Sequence, residues 1–395
     1  MSTLSVTTIN TANSTTDLTL KTGNTSGPEI VLSANGSTSI NNIDNLSIGN
    51  SSVNTAITST GITQNGLNFR VPKNYIVNPG MRISQENGTS SGTTNGYYPV
   101  DQWFMSQIQD GTLTTQQVDS ATPGGSENRI RMTVTSADTS IASGQIAAFV
   151  QYIEGLRTAD LQWGTANATD VVLRFGFKGP AGTYAFAMAN HDATRSFIRE
   201  FTISGDDANT DTLQTLTIPG DTSGTWNKDN TISFSIVFTF AVGSTYQTTA
   251  DAWQAGQYYG TSSTSNGIGT TSDVFEIFDV GLYADPDSTG LAPRFELPHY
   301  DTDLQECQRY YHKGFVSIRA YAAAAGYVYT NRAYFPNSMR VAPTMAGPSG
   351  GLVSGNISSN TLQDPEIDSV ENQMITSGAG DAYCTQRSYI ANARM

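Results

Sequence analysis

Val171-Val172-Leu173-Arg174-Phe175-Gly176-Phe177-Lys178, followed by Gly179-Pro180-Ala181-Gly182 and then Thr183-Tyr184-Ala185-Phe186-Ala187-Met188, is the run that decides the fold class. Val171, Leu173, Phe175 and Phe177 alternate with Val172, Arg174, Gly176 and Lys178, the period of two that sets successive side chains on opposite faces of a strand. Tyr184, Phe186 and Met188 then alternate with alanines, and the Gly-Pro-Ala-Gly between the two halves carries turn chemistry, so the run reads as a β-hairpin. The same period returns further along. Ile232, Phe234, Ile236, Phe238 and Phe240 form a second apolar face against Ser233, Ser235 and Thr239, and residues 274–283 are apolar on both faces, as a central strand is. Helical periodicity is missing from this block. Strands of this length, joined by loops rich in turn residues, predict an all-β, two-sheet sandwich of jelly-roll type over residues 73–297.

The flanks differ from this centre. Residues 1–72 are dominated by Thr, Ser, Asn and Gly, almost without charge, with isolated aliphatics such as Leu18, Leu20, Ile30, Leu32, Ile40 and Ile48 and one aromatic, Phe69. Alternation at Leu18-Thr19-Leu20 favours short strands over a disordered tail, which usually also carries high net charge. Ordering about 70 residues costs on the order of 100 kcal/mol, and offsetting that takes about 4000 Å² of apolar burial. One copy of so polar a block cannot supply it. Three copies wound about a common axis can, so a polar, trimeric N-terminal shaft that also serves as the attachment segment is expected. Composition changes abruptly at Lys73, where aromatics and Met arrive together. Beyond Pro298, Leu304, Cys307, Gln308 and Tyr311 share a helical stripe behind an Asp suited to capping, which predicts a short helix near residues 303–313. Short strands at 315–319 and 327–335 follow, so residues 298–395 read as a small C-terminal β domain.

The 395 residues carry a formal net charge of −14, a field that repels phosphate backbones and anionic lipid, so neither nucleic acid nor membrane is an expected partner. No stretch approaches the roughly 20 apolar residues of a membrane span, and residues 1–11 lack the basic start and apolar run of a signal peptide; cytosolic synthesis without that export route is expected. Cys307 and Cys384 have no metal-ligand spacing and read as free thiols. His191, His299 and His312 are scattered, and Asp206, Asp207, Asp211 and Asp221 sit among turn residues, so no catalytic constellation and no cofactor are expected. Asp285-Pro286-Asp287-Ser288-Thr289-Gly290 with Glu296 approaches a calcium-loop spacing, but Pro286, Pro293 and the absence of flanking helices favour a plain strand-exit loop.

Aromatic side chains outside the apolar period are the remaining signal. Trp253, Gln254, Gln257, Tyr258 and Tyr259 cluster between strands, with Trp226 as a further candidate; flat rings with amide neighbours suit sugar rings and their hydroxyls. The competing reading puts these aromatics at the ends of the sandwich or in a trimer interface. Trp103, beside Val100 and Phe104, reads as core, and Trp163 fits either role.

The stretches Asn74-Tyr75-Ile76-Val77-Asn78-Pro79-Gly80-Met81 and Tyr98-Pro99-Val100-Asp101-Gln102-Trp103 resemble the opening of a jelly-roll domain, similar to carbohydrate-binding modules, found in bacteriophage tail-fibre and tail-tip proteins. Phe278-Asp279-Val280-Gly281-Leu282-Tyr283, Pro293-Arg294-Phe295-Glu296 and residues 300–311 look like the end of that domain and the helix after it, and residues 335–344 are similar to the family's C-terminal strand and turn. The resemblance covers about residues 74–345. It implies a non-enzymatic structural protein of the virion: a homotrimeric tail fibre that binds host-surface polysaccharide and joins other phage proteins through its N-terminal block. A head fibre or decoration protein is the alternative reading, and a glycan-cleaving tailspike a third, although the strand-turn repeat of a long β-helix is missing here.

Overall fold

The computed structural model describes residues 45–50, 53–58, 61–64, 67–68 and 72–395, and the chain divides into two compact units, Met1–Asn68 and Phe69–Met395. In the first unit β1 (Asn45–Asn50), β2 (Val53–Thr58), β3 (Gly61–Gln64) and β4 (Leu67–Asn68) pair in order as an antiparallel meander within one chain. Residues 1–44, on which most of the shaft expectation falls, lie outside the described residues.

The second unit opens with the sandwich. Its strands in chain order are β5 (Phe104–Ile108), β6 (Thr112–Asp119), β7 (Asn128–Ser136), β8 (Ile146–Glu154), β9 (Val171–Lys178), β10 (Gly182–Asn190), β11 (Arg195–Ile203), β12 (Thr212–Ile218), β13 (Ile232–Val242), β14 (Trp253–Ala255) and β15 (Val274–Ala284). They form a six-stranded sheet, β14-β11-β10-β13-β8-β5, and a five-stranded sheet, β12-β9-β15-β7-β6, with antiparallel pairings throughout. A short helical turn, α1 (Gly155–Thr158), leaves β8. Phe175 and Phe177 from one sheet meet Phe201 and Phe238 from the other, with Phe175 and Phe238 ring centroids 4.8 Å apart, and Phe186 packs edge-on against Phe238 within its own sheet. Trp103 is buried in the same core, as expected. The apolar run at 274–283 is the central strand it was expected to be.

The hairpin expected over residues 171–188 does not form. β9 belongs to the five-stranded sheet and β10 to the six-stranded one, so Gly179-Pro180-Ala181 carries the chain over the core from sheet to sheet. Both strands do turn their apolar period inward: Phe177 and Tyr184 face each other at 5.3 Å, and the Tyr184 hydroxyl donates to the Pro180 carbonyl at 3.1 Å. A period of two tells which residues face a core, not which side of it the strand lies on. The turn chemistry decides the matter. Tight hairpin loops need positive φ, whereas proline holds φ near −65°, and neither Gly179, Ala181 nor Gly182 adopts a positive φ.

After Pro298 comes α2 (Tyr300–Gln308), then β16 (Tyr311–Ala322), β17 (Val328–Tyr334), β18 (Thr344–Ser349), β19 (Leu352–Val353), β20 (Ile357–Gln363), β21 (Ser369–Thr376) and β22 (Gly380–Asn392). The helix is shifted from its expected position. It starts behind His299, without a side-chain cap, and stops at Gln308, because Tyr310 and Tyr311 are drawn into other contacts. Tyr310 donates to the Glu154 carboxylate at 2.8 Å and Tyr311 opens β16 against Asn392. Asp303 is no cap: it is buried in the first turn, 3.4 Å from Arg82. The sheets β16-β22-β18 and β17-β21-β20 face each other over two small clusters, one around Val316, Phe335, Val370 and Tyr389, the other around Ile318, Met374 and Cys384. Cys307 and Cys384 are buried free thiols in different clusters.

Candidate functional site

The outer face of the six-stranded sheet is unusual for a face turned away from the core. Outward positions of a one-sided sheet are normally polar, yet here they are Ala148 and Val150 on β8, Ala185 and Ala187 on β10, Ile198 on β11 and Val237 on β13, all buried. Two features cover them. From one side the loop at 243–264 folds back over the sheet, where Thr239 donates to the Tyr259 carbonyl at 2.8 Å and Ser196 donates to the Gly256 carbonyl at 2.9 Å. From the other, Phe104 and Tyr152 rise from the ends of β5 and β8.

Together these segments form a row of half-buried aromatic rings. Tyr98 lies 5.4 Å from Phe104, Phe104 lies 5.2 Å from Tyr152, and Tyr259 lies 5.7 Å from Tyr246. Tyr152 is close enough to Tyr259 for the two hydroxyls to influence each other, and Tyr258 packs on the same face. Gln257 donates to the Tyr259 hydroxyl at 2.6 Å, and the Arg394 guanidinium lies 3.9 Å above the Tyr98 ring at the far end. Burial raises the Tyr98, Tyr152 and Tyr259 hydroxyls above the usual phenol range, so all three are neutral donors and acceptors at physiological pH.

The expected platform of Trp253 with Tyr258 and Tyr259 is not assembled. In β14, Trp253 pairs with the inward-facing Phe197, and Gln254 pairs with the outward-facing Ser196. Trp253 therefore faces the core side of the sheet edge, while Tyr258 and Tyr259 lie on the outer face. Adjacent strand residues point to opposite faces, so nearness in sequence does not make one surface. Trp253, Trp226 and Trp163 form a cluster of their own at the end of the sandwich, edge to face at 4.7 to 5.5 Å, with Trp163 stacked on Phe234. Trp226 is only 7% exposed, and the indole N–H groups of all three are taken by the carbonyls of Thr169, Ser223 and Pro219. Of the expected residues, Gln254, Gln257, Tyr258 and Tyr259 lie on the outer side and Trp253 and Trp226 on the inner.

Tyr98, Phe104, Tyr152 and Tyr246 were missed by sequence reasoning. A signal for them existed: alanines alternating with Tyr184, Phe186 and Met188 meant an outer face too apolar to be left open, hence a covering layer.

Several of the acidic candidates have structural partners. Arg129 holds Asp211 at 2.7 Å, Arg195 holds Asp221 in a two-point contact at 2.7 and 2.8 Å, and Asp207 accepts from Ser204. Asp285 accepts from Thr289 and from the Gly290 N–H, closing its own loop, and Glu296 lies instead in a separate cleft of about 670 Å³ beside Arg157, Arg294 and Glu306. No cluster of three or more metal-ligating side chains occurs among the described residues. His312 is buried and His299 is exposed ahead of α2.

Neither the comparison with protein families nor that with curated proteins gives a match. Among solved structures, the chain is similar to the enzymatically active domain of tailspike protein 4 of bacteriophage CBA120 at 12% identity and TM-score 0.31, covering 54% of this chain and 21% of that one. It is also similar to the family 11 carbohydrate-binding module of a Clostridium thermocellum cellulosomal cellulase (14% identity, 50% of this chain, 97% of that one, TM-score 0.27). A third likeness is to TmCBM61, solved with β-1,4-galactotriose, at 12% identity over 54% of this chain and 99% of that one, with TM-score 0.27. Scores this low support no reading of function.

Proposed function

We propose that this protein is a non-enzymatic adhesin of a bacteriophage particle, a homotrimeric tail fibre whose sandwich holds host-surface glycan on the outer face of the six-stranded sheet. The observation that carries the reading is the aromatic row: half-buried rings with neutral hydroxyls, mounted over a floor of small side chains. Such rings offer flat apolar faces to sugar C–H groups, with Gln257 and the phenol groups at their edges. The motifs at 74–81, 98–103 and 335–344, which resemble those of phage tail-fibre proteins, support placement on a virion.

One site of this kind is weak. A ring contact contributes roughly 0.5–1.5 kcal/mol beyond burial, consistent with about millimolar affinity for a single sugar site. Adsorption then depends on several sites acting together, which raises effective strength by about 10² to 10⁴ without new contacts. The test is binding of labelled protein to host cells and to their purified polysaccharide. Tyr152→Ala with Tyr259→Ala should reduce binding at least tenfold while leaving the fold intact by circular dichroism; undiminished binding by the double variant would show that the row is not the site. Antibody labelling of whole particles decides between tail and head.

A further inference from the structure

Tyr98 stands at one end of the aromatic row, and a group that covers its ring comes from the other sandwich. Arg394, just beyond β22, lays its guanidinium over the Tyr98 ring at 3.9 Å from the centroid and over the Tyr311 ring at the same distance. Tyr98 thus meets the row through Phe104, 5.4 Å away, and the C-terminal sandwich through Arg394. The Arg394 side chain is 7% exposed, and one of its terminal nitrogens pairs with Glu86.

Ion pairing alone does not account for this placement. Where the same molecule uses arginine as a tie, the guanidinium makes a two-point contact. Arg309 holds Glu154 at 2.6 and 2.8 Å across the seam between the two sandwiches, and Arg195 holds Asp221 at 2.7 and 2.8 Å. Arg394 gives Glu86 one nitrogen, while its Nε and other terminal nitrogen are buried without an acceptor among the described residues. Unpartnered buried donors cost free energy, which contact with ring faces offsets in part. The geometry therefore favours the rings over the two-point fork that a carboxylate usually receives. Other groups already secure the seam: Gln85 donates to the Tyr311 carbonyl at 2.7 Å, and Arg340 to the Asn230 carbonyl at 2.8 Å. Asn87 fixes the Tyr98 backbone by donating to its carbonyl at 2.9 Å, so what Arg394 adds is the orientation of the ring.

We infer that Arg394 is a positioning residue for the aromatic row: reaching across from the C-terminal sandwich, it sets the Tyr98 ring beside Phe104 and makes that sandwich a part of the binding site. The inference rests on the glycan reading proposed above. Sugar meets Tyr98, and Arg394 acts through it.

The test is titration of the full chain with oligosaccharides released from purified host polysaccharide. Arg394→Met keeps an unbranched apolar stem and removes the charge. It should weaken binding roughly three- to tenfold, the size of one desolvated cation–π contact, with unchanged circular dichroism. Tyr98→Ala should also weaken binding, and in that background Arg394→Met should change affinity by less than about twofold, since the ring it acts on is gone. Lys313→Met removes a hydrogen bond to the Glu86 carbonyl across the same seam without touching Tyr98, and should leave affinity unaltered. Unaltered affinity in Arg394→Met beside a weakened Tyr98→Ala overturns the inference. So does a loss of equal size with and without the Tyr98 ring, or a matching loss in Lys313→Met, because a plain tie between sandwiches would behave in those ways. If Arg394→Met fails to fold, Arg394→Gln replaces it with the same expectations. If neither Tyr98→Ala nor Tyr152→Ala with Tyr259→Ala weakens binding, the glycan reading itself fails and the inference falls with it.

Discussion

Trp253 and Tyr259 stand on opposite sides of one sheet edge, and their substitutions should separate accordingly. Trp253 packs against Trp163, Trp226 and Phe197 and donates to Pro219, so Trp253→Ala opens a void at the end of the sandwich. A loss of about 2–4 kcal/mol is expected, read as a lower midpoint in denaturant, with glycan affinity per folded molecule unchanged. Asp303 predicts a pH effect. Burial raises its carboxyl to about 6, outweighing Arg82, which acts in the other direction. The folded state therefore holds a proton that the unfolded chain releases near pH 4, and stability from this group grows as pH falls from above 6 towards 4. Asp101, also raised to about 6 by burial, adds in the same sense. His312, lowered by burial, opposes both below its unfolded value near 6.5. The clean measurement is thus a difference: Asp303→Asn should gain on the parent at pH 7.5 and lose that gain by pH 4.5. Parallel melting curves at both pH values would refute this assignment.

At the scale of elements, the loop after β14 depends on one residue. Gly256 has φ of +126°, a conformation that L side chains rarely adopt, and a Cβ there would lie 2.9 Å from the Tyr258 ring. This is where the chain leaves the sheet edge and turns over the outer face. Gly256→Ala should cost about 1–3 kcal/mol in backbone strain and displace Tyr258 from its seat. Weakened glycan binding at a temperature where the variant is fully folded is the expected result, measured by titration with host polysaccharide. The crossing from β9 to β10 also follows the local backbone: proline at position 180 disfavours the two-residue primed turns of the tightest hairpins, and residues 179–182 hold negative φ as the chain passes from sheet to sheet.

For the whole molecule, avidity is the property to measure. The −14 net charge gives no general attraction to an anionic cell surface, so the adsorption proposed above would rest on specific weak sites in multiple copies. Fixed in many copies on a bead, the chain from Phe69 onward should bind a single oligosaccharide as the free chain does, yet bind whole cells more strongly by about 10² or more. Equal cell binding by the free and the bead-borne chain would mean that one site suffices.

Period-two patterns at 171–178, 184–188, 232–240 and 274–283 determined, from sequence alone, that the chain is a β-sandwich and which side chains fill its core. Burial of alternate residues is a local property, and a strand's own residues encode it. Which sheet each strand joins, and which face an outlying aromatic serves, depend on partners distant in the chain. Tyr98 reaches Tyr152 only because β5 pairs with β8, and Trp253 is separated from Tyr259 only because β14 docks on β11 in one register. Tertiary structure decided the site for that reason: a binding surface is a set of neighbours across strands, and alternation along a strand says nothing about who those neighbours are.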